Sequence, residues 1–349
     1  MIKVLVIDDS ALIRALLGKI IDDDPMLIMV GAAPDAFVAR EMVKRLQPDV
    51  ITLDIEMPKV DGLTFLERLM QARPTPVIMI STLTSAGAEA TLRALELGAV
   101  DYIAKPKIEV SRGIEAYQEL ITDKIKMAAK ARLVNPKPLV AGRVLTTSRN
   151  FASSEKLLAI GASTGGTEAI KYLLMQFPAS MPAIVITQHM PPGFTKTFAT
   201  RLDNLCKIRV KEAVQGERLL AGCAYIAPGE QHMEVIRSGA DYRVRLHQED
   251  RVSGHRPSVD VMFRSLAVSA GVNTVAVIMT GMGRDGAEGM AQLSKQGCHT
   301  FAQDEASCVV FGMPKEAIKL NAVNEVLGLE QLAEAVLKKF SSISATTRL

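Results

Sequence analysis

Short apolar runs alternate with amphipathic segments along most of the chain. In the first third, this pattern predicts five β-strands, each followed by a helix whose apolar residues recur at helical spacing. Four of the five strands are delimited, at residues 2–7, 50–53, 77–80 and 101–104, and the helices are residues 11–21, 36–46, 63–72, 88–97 and 114–131. Strands that alternate with helices are typical of a doubly wound α/β domain with a parallel sheet.

The C-terminal half shows the same alternation. Apolar strands are predicted at residues 156–160, 183–187 and 274–279, and helices at residues 168–177, 286–295, 317–319 and 329–340. If these strands are parallel, their carboxyl ends meet at one edge of a sheet, where open α/β sheets hold their active sites. The fold class is therefore α/β, with two doubly wound and mostly parallel-sheet domains.

Composition fits two domains and excludes several classes of protein. The chain has 349 residues, 48% of them hydrophobic, which is enough for two sizeable cores. No apolar run approaches the roughly 18 residues of a membrane span, and the chain begins with a strand rather than a signal peptide. The four cysteines form no CxxC pair and are typical of reduced core residues. These features predict a soluble, cytoplasmic protein.

Charge is unevenly distributed, although the net charge is only +3. Residues 1–120 hold 13 Lys and Arg against 18 Asp and Glu, whereas residues 121–155 hold seven against two. The basic segment also contains Pro, Gly, Thr and Ser, which predicts a linker at 123–152 between domains at 1–122 and 153–349. It has no recognition helix or interleaved aromatics, so it indicates solvation and docking against the acidic domain rather than nucleic-acid binding.

A candidate nucleophile lies in the run IGASTGGT, residues 160–167. Ser163 sits among small residues where a predicted strand turns into a helix, and the helix N-terminus offers free N–H groups to a developing oxyanion. Turns of this composition also cradle phosphates or simply reverse the chain, so the motif alone leaves these interpretations open.

Two further strand ends favour catalysis. His189 follows the strand at 183–187, and Asp285 follows the strand at 274–279. Each has an ordinary alternative, since His189 can be a loop histidine and Asp285 a helix cap. Their arrival at the same sheet edge as Ser163 favours a nucleophile, a base and an orienting carboxylate. The order Ser, His, Asp differs from that of α/β-hydrolases, chymotrypsin and subtilisin, which predicts another scaffold.

The N-terminal third carries a second, independent candidate site. Acidic residues follow the first and third strands, and a hydroxyl and a lysine follow the fourth and fifth: Asp8, Asp9, Asp54, Glu56, Ser81 and Lys105. Carboxylates and a backbone carbonyl near Glu56 are the oxygen ligands that Mg²⁺ prefers. A phosphoryl group on Asp54 would then bridge the metal and Lys105. Helix capping explains one or two of these acids but not the lysine as well.

This set of residues resembles the response-regulator receiver domain over residues 1 to about 120. The resemblance implies a flavodoxin-like fold, phosphorylation of Asp54 and Mg²⁺ bound by Asp8, Asp9, Asp54 and the Glu56 carbonyl. It also implies switch roles for Ser81, Tyr102 and Lys105, and a chemotaxis histidine kinase as phosphodonor.

Residues 153–349 resemble the methylesterase domain of the chemotaxis response-regulator methylesterase (CheB) family, through the motifs GASTGG, QHMPPGFT, HRPSVDVMF and TGMGRDGA. The resemblance implies a Rossmann-like hydrolytic domain with Ser163, His189 and Asp285 as the triad. The backbone amides of Met282 and Thr164 are the expected oxyanion donors. Hydrolysis itself is expected to need no cofactor. The role of residues 251–254 stays open between a wall of the substrate cleft and a simple loop.

The family implies γ-glutamyl methyl esters on the cytoplasmic helices of chemoreceptors as substrates, with glutamine amides at the same positions as targets of deamidation. Membrane contact is then expected only through the receptors. The position of the receiver suggests gating, in which the unphosphorylated receiver covers the rim that holds Ser163. Two alternatives are a receiver with a DNA-binding output, which the alternating C-terminal half disfavours, and a hydrolase of small soluble esters.

Overall fold

The computed structural model describes residues 1–82, 84–105, 114–133 and 155–346. The chain divides into two compact units, Met1–Pro136 and Lys137–Leu349. The last helix of the first unit continues to Ala128, so the first residues of the predicted linker lie in that helix. The part of the predicted linker from residue 134 lies outside the described residues. Among the described residues, no helix is both long enough and apolar enough to span a membrane.

The first unit is a five-stranded sheet in the order β2-β1-β3-β4-β5, and all its strand pairs are parallel. Its strands are β1 Ile2–Ile7, β2 Leu27–Ala33, β3 Val50–Asp54, β4 Val77–Ser81 and β5 Asp101–Ala104. Its helices are α1 Ala11–Asp22, α2 Ala36–Leu46, α3 Gly62–Ala72, α4 Ser85–Glu96 and α5 Ile114–Ala128. The central strands β1, β3 and β4 are almost wholly buried, as apolar strands between two helical layers must be.

Side chains at the turns fix where several helices of this unit begin. Asp35 accepts hydrogen bonds from the amides of Phe37 and Val38 at the start of α2. Thr84 accepts one from the Gly87 amide, so α4 begins at Ser85, earlier than the apolar pattern alone predicts. Each cap satisfies amides that the helix leaves without a partner, and this fixes the residue at which the helix begins.

The second unit has a seven-stranded sheet in the order β14-β13-β12-β6-β7-β9-β8, with every pair parallel. These strands are β6 Leu157–Ala162, β7 Ala183–Gln188, β8 Arg209–Glu212, β9 Cys223–Ile226, β12 Thr274–Ile278, β13 His299–Gln303 and β14 Glu325–Leu327. An antiparallel hairpin comprises β10 His232–Ser238 and β11 Asp241–His247. The helices are α6 Gly166–Leu174, α7 Phe194–Leu205, α8 Val259–Ser269, α9 Ala287–Lys295, α10 Met313–Lys319 and α11 Leu329–Thr346.

The three strands predicted to carry the catalytic residues are neighbours. β6 lies between β12 and β7, and all three are fully buried. Helix α8 packs directly on β6, where a Cβ at Gly161 would collide with the side chain of Val259. Only glycine permits this close approach, which brings the first turn of α8 against the carboxyl end of the sheet.

The confirmed fold class is therefore α/β in both units. The structure also contains elements that the apolar pattern did not delimit, namely strands β2, β8, β9, β13 and β14, helices α7 and α8, and the β10–β11 hairpin. The hairpin strands are partly exposed and give no strong apolar run. Helix α8 does have buried apolar residues at helical spacing, Val259, Met262, Phe263 and Leu266, but the sequence-based prediction did not delimit it. The hairpin and helix α8 both take part in the site described next.

Candidate active site

Ser163 occupies a tight turn between β6 and α6. Its amide donates to the carbonyl of Thr280 at 3.0 Å, and its carbonyl accepts from the amide of Gly166 at 2.8 Å. Gly165 has a left-handed φ of 77°, which a side chain would strain. These contacts fix the serine backbone at the edge of the sheet while its side chain stays half-buried.

The strand register brings His189 beside Ser163. Ala162 of β6 pairs with Gln188 of β7, so the residues that follow them leave the sheet together. The side-chain amide of Gln188 donates to the Ser163 carbonyl at 2.9 Å and lies 3.3 Å from the His189 carbonyl. Sequence reasoning gave Gln188 no role, although it directly precedes the predicted base. Its buried amide links the two turns.

Asp285 is joined to His189 across the end of β6. Its Oδ2 accepts from His189 Nε2 at 2.8 Å, and the Asp285 side chain is 1% exposed. Burial opposes ionisation, but the hydrogen bond and charge of His189, with hydrogen bonds from Ser258 and Val259, outweigh it and lower the pKa of Asp285. The carboxylate is therefore ionised and accepts hydrogen bonds only.

The other imidazole nitrogen of His189 is available to a nucleophile. Because Asp285 only accepts, Nε2 must carry the proton, which leaves Nδ1 unprotonated in the neutral ring. Nδ1 is buried and has no hydrogen-bond partner among the described residues. This arrangement exchanges the two nitrogens relative to the chymotrypsin-type triad, in which Nδ1 faces the aspartate.

His255 stacks on the ring of His189. The two ring centroids are 3.7 Å apart and the planes differ by 11°. The segment before it, whose role the sequence left open, is a tight turn closed by hydrogen bonds between Val252 and His255. Ser253 and Gly254 both have positive φ in this turn, as in two-residue hairpin loops. The turn therefore positions His255, whose ring covers one face of the His189 ring.

The predicted oxyanion donors lie next to the serine. A Cβ placed on Gly281 would be 2.8 Å from the Cβ of Ser163, so the backbone before Met282 passes directly against the nucleophile. The Met282 amide makes no hydrogen bond within the described ranges. Thr164 follows Ser163 in the same turn, and its carbonyl accepts from the Thr280 hydroxyl at 2.9 Å.

His232 contacts Ser258, which in turn contacts Asp285. It is fully buried, its Nδ1 accepts from the Ser258 amide at 3.2 Å, and its Nε2 donates to the Asp250 carbonyl at 3.0 Å. Burial lowers its pKa, because the charged ring would lose its hydration, and the Asp250 carbonyl opposes this only in part. No sequence signal identified His232, since it stands alone on a hairpin strand.

The predicted cluster in the first unit also assembles. Asp8, Asp9 and Asp54 each offer a carboxylate oxygen within 4.8 Å of the others. Lys105 Nζ lies 2.7 Å from Asp54 Oδ2 and 3.5 Å from Asp8 Oδ2. The Glu56 amide donates to Asp54 Oδ1 at 3.3 Å, which places its backbone beside the cluster.

The electrostatics of this cluster suit a divalent cation. Burial raises the pKa of Asp54 to about 6, in spite of the hydrogen bond from Lys105. Burial also raises the pKa of Asp8, whose Oδ2 is buried and accepts no hydrogen bond within the described part of the chain. Three acids against one lysine leave oxygen ligands for Mg²⁺, so the donor set fits the expected metal.

Of the predicted switch residues, Lys105 lies in this cluster, whereas the side chains of Ser81 and Tyr102 contact other groups. Ser81 is buried, and its hydroxyl lies 2.7 Å from that of Thr91 on α4 and 3.3 Å from the Gly87 carbonyl. Tyr102 is buried with Lys124 Nζ 5.5 Å from its ring centre. Thr91 and Lys124 had no role in the sequence analysis, because each occupies an ordinary helical position.

Comparison with known proteins matches both units. Residues 158–336 match the family model described as CheB methylesterase, and residues 4–117 match that of the response regulator receiver domain. The chain is 58% identical to "Protein-glutamate methylesterase/protein-glutamine glutaminase 2" of Shewanella oneidensis, covering 98% of this chain and 99% of that protein. It is 55% identical to the Salmonella typhimurium protein of the same name without the number, and the match covers 98% of this chain and 97% of that protein.

A solved structure matches the second unit. The CheB methylesterase catalytic domain of Thermotoga maritima is 37% identical, with a TM-score of 0.52, and the match covers 53% of this chain and 99% of that one. The three relatives resemble this chain in sequence over the units described above. The two full-length relatives extend the likeness from single motifs to the order of both domains along the chain.

We expect His232 to titrate below the ordinary histidine pKa of 6.5. The chain has five histidines, so histidine carbon NMR resolves them, and His232→Gln identifies the relevant signal. Because the folded-state pKa is depressed, the unfolded state binds more protons as the pH falls below about 6.5, and the free energy of unfolding should decrease there. A titration midpoint at or above 6.5 would contradict the buried, neutral ring.

Proposed function

The chain belongs to the CheB methylesterase family, and on that premise we propose that it hydrolyses γ-glutamyl methyl esters of chemoreceptors under the control of phosphorylation. The observation that carries the proposal is the buried hydrogen bond between His189 and Asp285 beside the Ser163 turn. Side-chain amides of glutamine at the same receptor positions are a second class of substrate, in keeping with the names of the relatives. We propose that this hydrolysis takes place in the cytoplasm, where the receptor helices lie.

The first half of the reaction forms an acyl-enzyme. Ser163 Oγ attacks the ester carbonyl while His189 Nδ1 takes its proton, and Asp285 stabilises the resulting imidazolium through Nε2. The amides of Met282 and Thr164 donate to the negative oxygen of the tetrahedral intermediate. Its collapse breaks the bond to the methoxy group, which leaves as methanol with the proton from His189.

The second half restores the enzyme. Water attacks the acyl carbonyl as His189 removes its proton, and the glutamate carboxylate leaves when Ser163 recovers its hydrogen. A glutamine side chain follows the same path, with ammonia as the leaving group. His189 therefore acts as base and then acid in each half, and the stacked ring of His255 restricts the imidazole to one plane.

The receiver domain supplies control. Asp54 is proposed as the acceptor of a phosphoryl group from a chemotaxis histidine kinase, and Lys105 as the residue that pairs with the product. Asp8, Asp9, Asp54 and the Glu56 carbonyl would hold Mg²⁺. When bound, this ion neutralises the charge of the incoming phosphoryl oxygens. Ser81 must leave its contacts with α4 to reach that group, which couples phosphorylation to α4.

We expect Ser163→Ala to abolish methanol release from methylated receptor membranes, because it removes the nucleophile. His189→Ala should reduce the rate about as much, and Asp285→Asn should leave residual activity because the oxyanion donors survive. Ser342→Ala, at an exposed position of α11, is the matched control and should match the wild type. Near-normal release by a folded Ser163→Ala variant would exclude this triad.

We expect Asp54→Asn and Asp9→Ala each to block labelling by a radioactive small phosphodonor. The first removes the acceptor and the second a metal ligand, so chelation of Mg²⁺ should also block labelling and its restoration should recover it. Glu67→Gln removes an exposed carboxylate from α3 and should be labelled normally. Undiminished labelling of Asp54→Asn would show that another residue is the acceptor.

We expect a phosphodonor to raise esterase activity by about tenfold or more, a modest shift for a two-state equilibrium, and to leave Asp54→Asn unaffected. Deletion of residues 1 to about 145 should raise basal activity above that of the unphosphorylated chain if the receiver restrains the catalytic domain. If the truncated domain is folded but no faster than the unphosphorylated full-length chain, the receiver activates the catalytic domain rather than restrains it. Methanol release from the same receptor membranes measures all three.

A further inference from the structure

We propose that Ser258 is a positioning residue for the reaction, because its hydroxyl donates to Asp285 and fixes the carboxylate that orients His189. The inference rests on the proposed function, since it concerns the same triad. Ser258 would be a fourth side chain of the site, beside Ser163, His189 and Asp285. Sequence reasoning recorded Ser258 only as part of the motif HRPSVDVMF.

Four donors fix the two oxygens of Asp285. Oδ1 accepts from the Ser258 hydroxyl at 2.7 Å and from the Asp260 amide at 3.1 Å. Oδ2 accepts from the Val259 amide at 2.7 Å and from His189 Nε2 at 2.8 Å. Three of these donors belong to the start of α8, where the helix dipole also favours a negative charge. Ser258 provides the only side-chain donor among those three.

Capping of α8 does not account for this contact. As N-cap, the Ser258 oxygen accepts a long hydrogen bond of 3.4 Å from the Val261 amide, a role that needs no proton. The hydroxyl proton is directed to Asp285 instead, at the much shorter distance of 2.7 Å. A residue that only capped the helix would need the oxygen and not the proton. Ser258 uses both.

The surroundings leave Ser258 little freedom to turn away. It is fully buried, and its amide is bonded to His232 Nδ1 at 3.2 Å. The neighbouring Val259 lies against Gly161 of β6, where no larger residue fits. The hydroxyl is therefore held at the carboxylate by the hairpin on one side and the sheet on the other. Without the Ser258 hydroxyl, Asp285 Oδ1 keeps only the Asp260 amide as a donor, and the carboxylate can rotate away from His189.

Three substitutions separate the two roles of Ser258. Ser258→Ala removes both the cap and the donor, whereas Ser258→Gly removes the donor but retains most of the capping preference. Ser258→Thr restores the hydroxyl. Ser265→Ala, on the same helix, is the matched control, because its hydroxyl serves the Met262 carbonyl and the Val235 amide instead of the triad.

Activity of the full-length variants on methylated receptor membranes gives the first measurement. We expect kcat to fall about tenfold in both Ser258→Ala and Ser258→Gly with KM unchanged, as for the loss of one hydrogen bond to a charged group. Ser258→Thr should recover most of the activity, and Ser265→Ala should resemble the wild type. Normal kcat in Ser258→Gly with a loss in Ser258→Ala would reduce Ser258 to a helix cap and overturn the proposal.

Nitrogen NMR of the histidines gives a measurement that does not depend on activity. Wild-type His189 should carry its proton almost wholly on Nε2, whereas Ser258→Ala and Ser258→Gly should show a mixture of the two tautomers. An unchanged His189 signal in both variants would overturn the proposal. Because this signal is read without substrate, it tests Ser258 even if the wild-type chain releases no methanol, which would instead refute the proposed function.

Discussion

A carboxylate buried at the end of a parallel sheet must be compensated, and both units of this chain are organised around one. The cost of removing an ionised carboxylate from water is large unless donors or cations replace the lost hydration. Around Asp285, the required donors come from β7, through His189, and from the first turn of α8. Around Asp54, Lys105 and the Glu56 amide supply the donors. In the second unit, the strand ends, the turns after them and the packing of α8 on Gly161 bring the donors to Asp285.

The two carboxylates are compensated to different degrees, and this difference matches their proposed chemistry. Asp285 has its pKa lowered by complete hydrogen bonding, which suits a residue that orients a base without reacting. Asp54 has its pKa raised to about 6 by burial, so its charge is poorly satisfied and favours the approach of a cation. Asp285 accepts four hydrogen bonds, whereas Asp54 keeps lone pairs that can coordinate a cation. The same strand-end location thus suits the proposed orienting carboxylate in one unit and the proposed phosphoryl acceptor in the other.

The sequence was informative where a chemical residue directly follows an apolar run. Ser163 and His189 directly follow buried strands, and Asp285 lies in the loop after a third. Parallel pairing brings the ends of these strands to one edge. Ser258, His232 and His255 lie in loops or on a partly exposed hairpin, where apolar periodicity carries no information about tertiary contacts. The Ser253-Gly254 pair is a recognisable turn signal, but nothing in it indicates a stack on His189. Thr91 was missed because a buried threonine on α4 looks like any other helical position.

The separation of the proposed catalytic residues along the chain has a consequence for biosynthesis. Asp285 follows His189 by 96 residues, and their hydrogen bond requires that β12 has already joined β6. A ribosome completes the receiver before any of the three strands, and N-terminal domains generally fold first during synthesis. The esterase site is therefore among the last features that a nascent chain can form. A newly made molecule therefore completes its receiver domain before its esterase site.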